Sequence, residues 1–559
     1  MGKFNKVPDV AKDLYERPDA VLNHEGALAF KLDPLTELYL KAASTLVGEP
    51  KYYTDGQTSD SELLKSIRQV AKIDPEFILQ LAVYCREQLY LRSVPLLLLA
   101  EFANNPECVG KATTPEGSTA TQAARVPGAR KYVPRIVQRA DELTELMAYQ
   151  LARNKVVPRP SKYLNTGKEE TSNKRVDKQS ALPQMIKFGL AKAFKNFDAY
   201  QIAKYNRDGT VKMRDVMFEV HPEWENEEQK KVLDKLTNKT LEPPETWEVM
   251  RSTGRMTWHD VINHIFYKEG RINNYMAQLR NLRNCLQDDS VKAEDLMLLC
   301  KMISDKNAVS RSKQLPFRFL SAYKELQKDD RNFTPTGVLY VSEVLEALET
   351  AASYSTDNFP KLGGDTVIAT DFSGSMQTVI SNRSSVERFE IGAMLSIIAN
   401  SFCRRAITGI FGDDWKVVPM TKSSGILSNT LKTVGMIGSV GYSTNGYKVI
   451  DYLLDNGIKV DRIMIFTDCQ MWDSDRRRYW GDRDQTSFAD RFLRYQRLYP
   501  GVRLYTFDLS GYGTVQIPQD TKNACFIGGW SDRIFDFVRA FEELGDGKIV
   551  INKIKAIKA

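Results

Sequence analysis

The sequence predicts a multidomain α + α/β protein, with an α-helical array over residues 1–361 and a doubly wound α/β domain over 362–559. Three observations lead there. Apolar residues recur at helical spacing until Leu362-Gly363-Gly364, and beyond that point short β-rich runs alternate with helices. The chain has 559 residues, more than one domain usually holds. Hydrophobic residues make up 42% and charged residues 27%, the balance of a globular protein with sizeable cores. The longest apolar run, 94–100, is far short of the roughly 20 residues that a membrane helix needs. Residues 1–12 mix charges with Pro8 and lack the apolar core of a signal peptide. Cys85, Cys108, Cys285, Cys300, Cys403, Cys469 and Cys525 are scattered, without a Cys-x-x-Cys pair. That excludes a disulfide scaffold or zinc ribbon and points to a reducing, cytoplasmic location.

In the helical part, Ser59-x-x-Glu62 reads as a capping box opening a helix at 62–72. Asp74-Pro75 supplies an N-cap and a first-turn proline for 76–89. A buried helix follows at 96–102. Further helices are expected at 141–153, 183–197, 226–236, 258–269, 272–286, 293–303, 316–326 and 337–353. Pairs of helices with short polar joints suggest a HEAT-like solenoid, although no regular sequence period is present. The polar stretch 158–180 reads as a mobile basic loop.

In the second part, strands are expected at 366–370, 406–411, 416–419, 462–467, 503–507 and 524–527. Helices are expected at 386–402, 446–456, 488–498 and 532–544, the first capped by Ser384-x-x-Glu387. Ligands of such sheets sit beyond the carboxyl ends of the strands. There the sequence places Asp371-Phe372-Ser373-Gly374-Ser375, with Asp468 closing the apolar strand before it. Between them, Gly441-Tyr442-Ser443-Thr444-Asn445-Gly446 puts hydroxyls on a glycine-flanked loop. These are all oxygen donors, which suit Mg²⁺ or another hard divalent cation.

Asp371, Ser373, Ser375, Thr444 and Asp468 resemble the metal-ion-dependent adhesion site (MIDAS) of a von Willebrand factor A domain. The resemblance implies that Ser373, Ser375 and Thr444 ligate Mg²⁺ directly and that the aspartates act partly through water. Upstream, Lys204-Tyr205-Asn206-Arg207-Asp208-Gly209, Arg214-Asp215-Val216 and His221-Pro222 are similar to the core signature of the TROVE module. Arg280-Asn281-Leu282-Arg283 and Leu315-Pro316-Phe317-Arg318-Phe319 resemble its later helices. A TROVE module followed by an A domain is the architecture of the Ro ribonucleoprotein family, and the chain is identified as a divergent member. Vertebrate-type members carry Trp-Ser-His within the signature where Val211-Lys212-Met213 stands here, and residues 1–30 lie outside the resemblance. What the resemblance implies is a ring of helical repeats closed at the A domain. Its basic outer surface would bind small noncoding Y-like RNA, and its hole would take single-stranded 3′ ends of misfolded RNA. The setting is RNA quality control or tethering, with one protein monomer per RNA. Through the metal, the A domain would recruit a protein such as an exoribonuclease.

The charge distribution fits an RNA partner. The net charge is +7, yet residues 125–215 hold 20 Lys and Arg against 9 Asp and Glu, while 362–559 hold 25 against 22. A basic segment in a nearly neutral chain is a polyanion footprint, although Lys-rich solvated faces give the same count. The RNA-binding candidates are Arg125, Arg130, Lys131, Lys187, Lys192, Lys204, Tyr205, Arg207, Lys212, Arg214 and His221. Lys204, Arg207, Lys212 and Arg214 cluster around a turn at Gly209, so their side chains are expected to converge on phosphates. Tyr132, Tyr200 and Tyr205 lie among these residues, either as base-stacking platforms or as core. His221 is open to a structural hydrogen bond at a helix end or to an RNA contact. Cys469 reads as a small buried residue. With no Walker A loop, no metal-protease His pair and no nuclease carboxylate cluster in the basic part, the function is expected to be non-catalytic. The competing reading is a metal-dependent adaptor whose helices bind protein.

Overall fold

The computed structural model describes the chain apart from residues 1–13, 110, 114–118, 122–125, 154–181, 243, 315, 329–330, 355–360, 383, 421–424, 473–486 and 545–547. Arg125, Leu315 and the expected loop at 158–180 lie outside the described residues. The chain forms two compact units, one of residues 1–63 with 247–553 and one of residues 64–246 with 554–559. The change from helices to alternating strands does fall at 354–362, but the compact units are not divided at 361/362. No helix among the described residues is long and apolar enough to cross a membrane.

Among the described residues, the two larger sheets of the first unit are built from nine strands: β1 (Ala20–Leu22), β2 (Leu28–Lys31), β3 (Leu362–Asp371), β4 (Cys403–Phe411), β5 (Trp415–Val417), β6 (Arg462–Thr467), β7 (Arg503–Asp508), β8 (Thr514–Val515) and β9 (Ala524–Gly528). Six of them form one sheet in the order β9-β7-β6-β3-β4-β5, parallel except for the edge strand β5. β6 is buried along its whole length, as expected of a parallel strand covered on both faces. From β3 the chain winds outward one way to β4 and the other way from β6 to β7. The order therefore reverses at the β3/β6 junction, where doubly wound sheets hold their ligands.

Residues 14–55, which carried no expected element, are part of this unit. β1 and β2 form a hairpin, and β2 pairs antiparallel with β8 through Lys31↔Thr514 and Phe30↔Val515. Helix Pro34–Ala43 follows, capped by Asp33 with Pro34 in its first turn, and packs on β9. Its Tyr39 hydroxyl both donates to the Gly528 carbonyl (3.2 Å) and accepts from the Gly528 N–H (3.0 Å).

Several expected boundaries shift for local reasons. Helix Gly56–Ile73 begins one turn before the expected capping box: Asp55 accepts from the Thr58 N–H at 2.7 Å, and Ser59 lies inside the helix. Helix Arg388–Phe402 likewise starts after Glu387, whose N–H donates to Glu390 at 3.0 Å, while Ser384 accepts from Val386 in the preceding turn. The helix expected at 258–269 is only a turn, Trp258–Asp260, running into a π-helical segment, Val261–Phe266. It stops because Glu269 (φ 51°) and Gly270 (φ 75°) make a left-handed turn that pairs Tyr267–Lys268 with Arg271–Ile272. The next helix accordingly begins at Tyr275.

That helix, Tyr275–Leu286, receives the start of helix Pro335–Tyr354 end-on: Thr334 donates to the Leu286 carbonyl, and a Cβ on Gly337 would stand 2.1 Å from the same oxygen. Gly337→Ala is therefore expected to destabilise the protein by about 1–3 kcal/mol, read as a lowered denaturation midpoint, because backbone and not a flexible side chain must move. An unchanged midpoint would mean the two helices are not in this contact.

The second unit is helical, with helices Pro75–Glu87, Ser93–Asn104, Ala140–Arg153, Gln184–Ala193, Ala199–Lys204, Met213–Val220 and Glu227–Thr237. Its core holds a buried ion pair, Arg86 to Glu142 at 2.8 Å. Glu142 also accepts from the N–H groups of Gln138 and Arg139 at the start of helix Ala140–Arg153, so its charge is fully satisfied. The last residues close this unit: Gln80 donates to the carbonyls of Lys555 and Ile557, and Lys555 pairs with Asp74 at 2.7 Å.

Candidate cation site and candidate nucleic-acid interface

Asp371 and Asp468 stand at the carboxyl ends of the adjacent strands β3 and β6, and both are fully buried. Asp371 accepts from the Ser373 N–H (2.9 Å) and the Thr467 hydroxyl (2.6 Å), and the Ser373 and Ser375 hydroxyls lie 3.2 Å apart. The loop carrying the buried Thr444 is tied to both aspartate loops. Gly374 N–H donates to the Tyr442 carbonyl (2.8 Å), and Trp472 N–H donates to the Thr444 carbonyl (2.9 Å). A Cβ on Gly412 would meet the Gly441 and Val440 carbonyls at 2.7 Å, so glycine is what lets this loop close onto the end of β4. All five sequence-predicted ligand positions thus meet on three loops stitched by backbone hydrogen bonds.

The electrostatics suit a cation. Burial, with the Asp468 charge beside it, pushes Asp371 up to about 7, and burial raises Asp468 as well. Asp468 Oδ1 accepts from the Gln470 N–H at 3.0 Å, while its buried Oδ2 has no hydrogen-bond partner among the described residues. Two desolvated carboxylates and an orphaned oxygen beside paired hydroxyls are the donor set that a hard divalent ion would satisfy. Among the described residues no three His, Cys, Asp or Glu side chains cluster as a metal site, so the hydroxyls have to contribute. Cys469 is buried with φ 62°, a left-handed conformation that turns Gln470 back onto Asp468, and burial raises its thiol well above the usual range. That is an inert thiol.

Sequence reasoning missed the residues surrounding these ligands. Asp508 closes β7 as Asp371 and Asp468 close their strands, and that repetition was readable. It is buried, and burial pushes it up to about 6. Lys51, lowered by burial to about 8 and partly held up by Asp508, donates to the Gly511 carbonyl at 3.2 Å. Arg388 is buried and donates to the Thr378 and Val379 carbonyls. His24, Glu25 and Tyr53 approach from the N-terminal segment: His24 N–H donates to the Gln470 side chain at 3.0 Å, and the Tyr53 hydroxyl donates to Glu25. Nothing in their local sequence marks these three.

The described RNA candidates all lie in the unit 64–246. Arg130, Lys131, Lys192 and His221 are exposed, and Lys187 is half-buried, 4.0 Å from Glu219. His221 caps helix Met213–Val220 in a left-handed conformation (φ 50°), its N–H donating to the Met217 carbonyl. The four cations around Gly209 do not converge as one set. Lys212 pairs with Asp208 at 2.7 Å, and Arg214 donates to the Thr237 carbonyl and lies over Phe218. Lys204 and Arg207 lie over the rings of Tyr200 and Tyr205 at 5.8 and 5.6 Å. Tyr205 is also covered by Arg139, which donates to its hydroxyl at 2.9 Å. Tyr132 is no stacking platform: it is fully buried, and its hydroxyl donates to Glu76 at 2.9 Å. Exposed aromatics of this unit include Tyr200, Phe218 and Trp224, each with a Lys or Arg over its ring. Of these, Phe218 and Trp224 were not anticipated.

Comparison with known proteins matches this chain to the TROVE domain over residues 38–242 and 237–350, more than half its length. Telomerase protein component 1 of Rattus norvegicus is 25% identical over 342 residues, covering 46% of this chain, and that of Mus musculus is 25% identical over 321 residues, covering 48%. The chain spans only 11% and 12% of those relatives' lengths. The crystal structure of the Deinococcus radiodurans Ro (RSR) protein superposes with a TM-score of 0.53 at 16% identity, over 91% of this chain and 99% of that one, a likeness of fold. Across the helices that carry the basic signature and those that follow it, the chain belongs to the TROVE-domain family, whose members are RNA-binding components of ribonucleoproteins.

Proposed function

We propose that this protein is a non-catalytic RNA-binding protein that holds single-stranded RNA on the basic unit 64–246 and uses a Mg²⁺ site at the end of the β-sheet to dock an acidic protein partner. The observation that carries the RNA reading is the run of exposed aromatic rings at Tyr200, Phe218 and Trp224, each beside a Lys or Arg. Aromatic faces stack on unpaired bases while cations meet the phosphates, and a duplex offers no free base faces to such a surface. Family membership supports the same reading, and small noncoding RNAs and single-stranded 3′ ends are the substrates it favours.

A cation held by Ser373, Ser375 and Thr444, with Asp371 and Asp468 behind, would be left short of negative charge. It would then accept a carboxylate from another protein as a further ligand. The same arrangement leaves no evident general base, which is why binding and not hydrolysis is proposed.

The test is a fluorescence-anisotropy titration of the full chain with a single-stranded RNA and with a duplex of the same length, at fixed salt. Binding at least about tenfold tighter to the single strand is expected. Equal affinity would remove the stacking argument, and no binding to either would leave the protein-adaptor function in its place.

A further inference from the structure

We infer that the protein covers its own cation site: Glu25, held by Tyr53, stands where a partner's carboxylate would approach the ion, so the partner must displace it. This rests on the proposal above that the site binds a divalent cation. The hairpin turn between β1 and β2 is anchored to the loop that carries Asp468. Asn23 Nδ2 donates to the Met471 carbonyl at 2.7 Å, and His24 N–H donates to Gln470, whose own N–H holds Asp468. Within the turn, Asn23 Oδ1 accepts from the N–H groups of Glu25 and Ala27, both at 3.0 Å, which fixes Glu25 on the hairpin.

Tyr53 connects Glu25 to the site. Its ring stacks on His24 (centroids 5.0 Å apart, planes within 5°) and meets Tyr512 edge-on at 5.4 Å. Its hydroxyl donates to the Glu25 carboxylate and lies beside the Ser375 hydroxyl, one of the candidate ligands. Glu25 is close enough for its charge to act on Asp468. An acid held at the rim by a phenol, one group away from the ligand hydroxyls, is placed to compete with an incoming carboxylate without being a ligand of the inner set. Released from Tyr53, it would leave the position open.

The experiment uses the full chain loaded with Mn²⁺ and titrated with acetate, with water-proton relaxation reporting the displacement of bound water. Glu25→Gln removes the charge, and Tyr53→Phe removes only the hydroxyl that holds it. Both variants are expected to bind Mn²⁺ within about threefold of the parent and to bind acetate about tenfold more tightly. Equal acetate affinity in the parent and both variants, with circular dichroism unchanged, would overturn the inference while leaving the cation site standing. A tenfold loss of Mn²⁺ affinity in Glu25→Gln would make Glu25 a direct ligand and would also overturn it. If the parent itself bound no Mn²⁺, the cation site would fall, and this inference with it.

Discussion

Asp371→Ala is expected to cost the protein at least about a hundredfold in Mg²⁺ affinity while the unit 64–246 stays folded. The magnitude follows from position. Loss of a group that only orients a metal's ligands typically costs 10- to 100-fold, and Asp371 would supply buried charge to the site itself. It also organises the turn, since its carboxylate holds the Ser373 N–H and the Thr467 hydroxyl. The fold should survive because the substitution removes a buried carboxylate whose charge is made costlier by Asp468, and it lies outside the unit 64–246. Thr444→Ala should weaken binding in the same direction. Calorimetric titration of Mg²⁺ into both variants, with circular dichroism as the control, measures this, and unchanged binding in both would end the case for the site. RNA affinity should stay within about threefold in Asp371→Ala. If it vanished with the fold intact, the separation of RNA binding from the cation site would be wrong.

The second large effect is expected on RNA. Lys204→Ala with Arg207→Ala should flatten the dependence of log affinity on log salt by about 1.4, since each phosphate contact with a single strand contributes about 0.7. At low salt the affinity itself should fall by about tenfold per contact, each charge-assisted hydrogen bond contributing about 1.5 kcal/mol. Of the four cations around Gly209, these two stand over the rings of Tyr200 and Tyr205, where a stacked base would bring its phosphate. Lys212 is already neutralised by Asp208, and Arg214 is engaged with the Thr237 carbonyl. The pair Lys212→Ala with Arg214→Ala should therefore move the slope less. Discrimination between unrelated single strands should hardly change, because phosphate contacts position a strand without reading its bases. An unaltered slope in the first double variant would place the RNA on another surface.

How much of this was legible in the sequence depends on whether the signal was local. The strand Arg462–Thr467 and the helices Ala293–Ile303 and Phe488–Leu498 coincide with their expected limits, because an apolar run or a helical stripe bounded by caps is self-sufficient. The meeting of the five candidate ligand positions was foreseeable for the same reason: each ends a strand or sits on a turn or glycine-flanked loop next to one. Helix Pro34–Ala43 was equally open to reading, since Asp33-Pro34 repeats the signal of Asp74-Pro75. β1 and β2 were not. They are three and four residues long and are stabilised by β8, whose existence their own sequence cannot announce. Tyr132 stayed open between platform and core for a related reason, since a tyrosine among basic residues gives no sign of which face its helix buries. Glu25 and Tyr53 gain their meaning only from loops more than three hundred residues away.

The discontinuity of both units has a consequence for biogenesis. β2 leaves the ribosome some 480 residues before its partner β8, and Gln80 waits a similar interval for Lys555 and Ile557, which close the helical unit on it. At about 5–20 residues per second, the apolar strand Leu28-Ala29-Phe30 waits on the order of half a minute or more without the edge it will pair with. Through that interval the nascent chain exposes a hairpin with one open, β-prone edge while helices fold between the two partners. Holdase chaperones that bind short apolar stretches would find their substrate there, and slowing elongation should lengthen its exposure to proteases. The protein's most vulnerable moment is therefore set by translation speed and not by the stability of the finished fold.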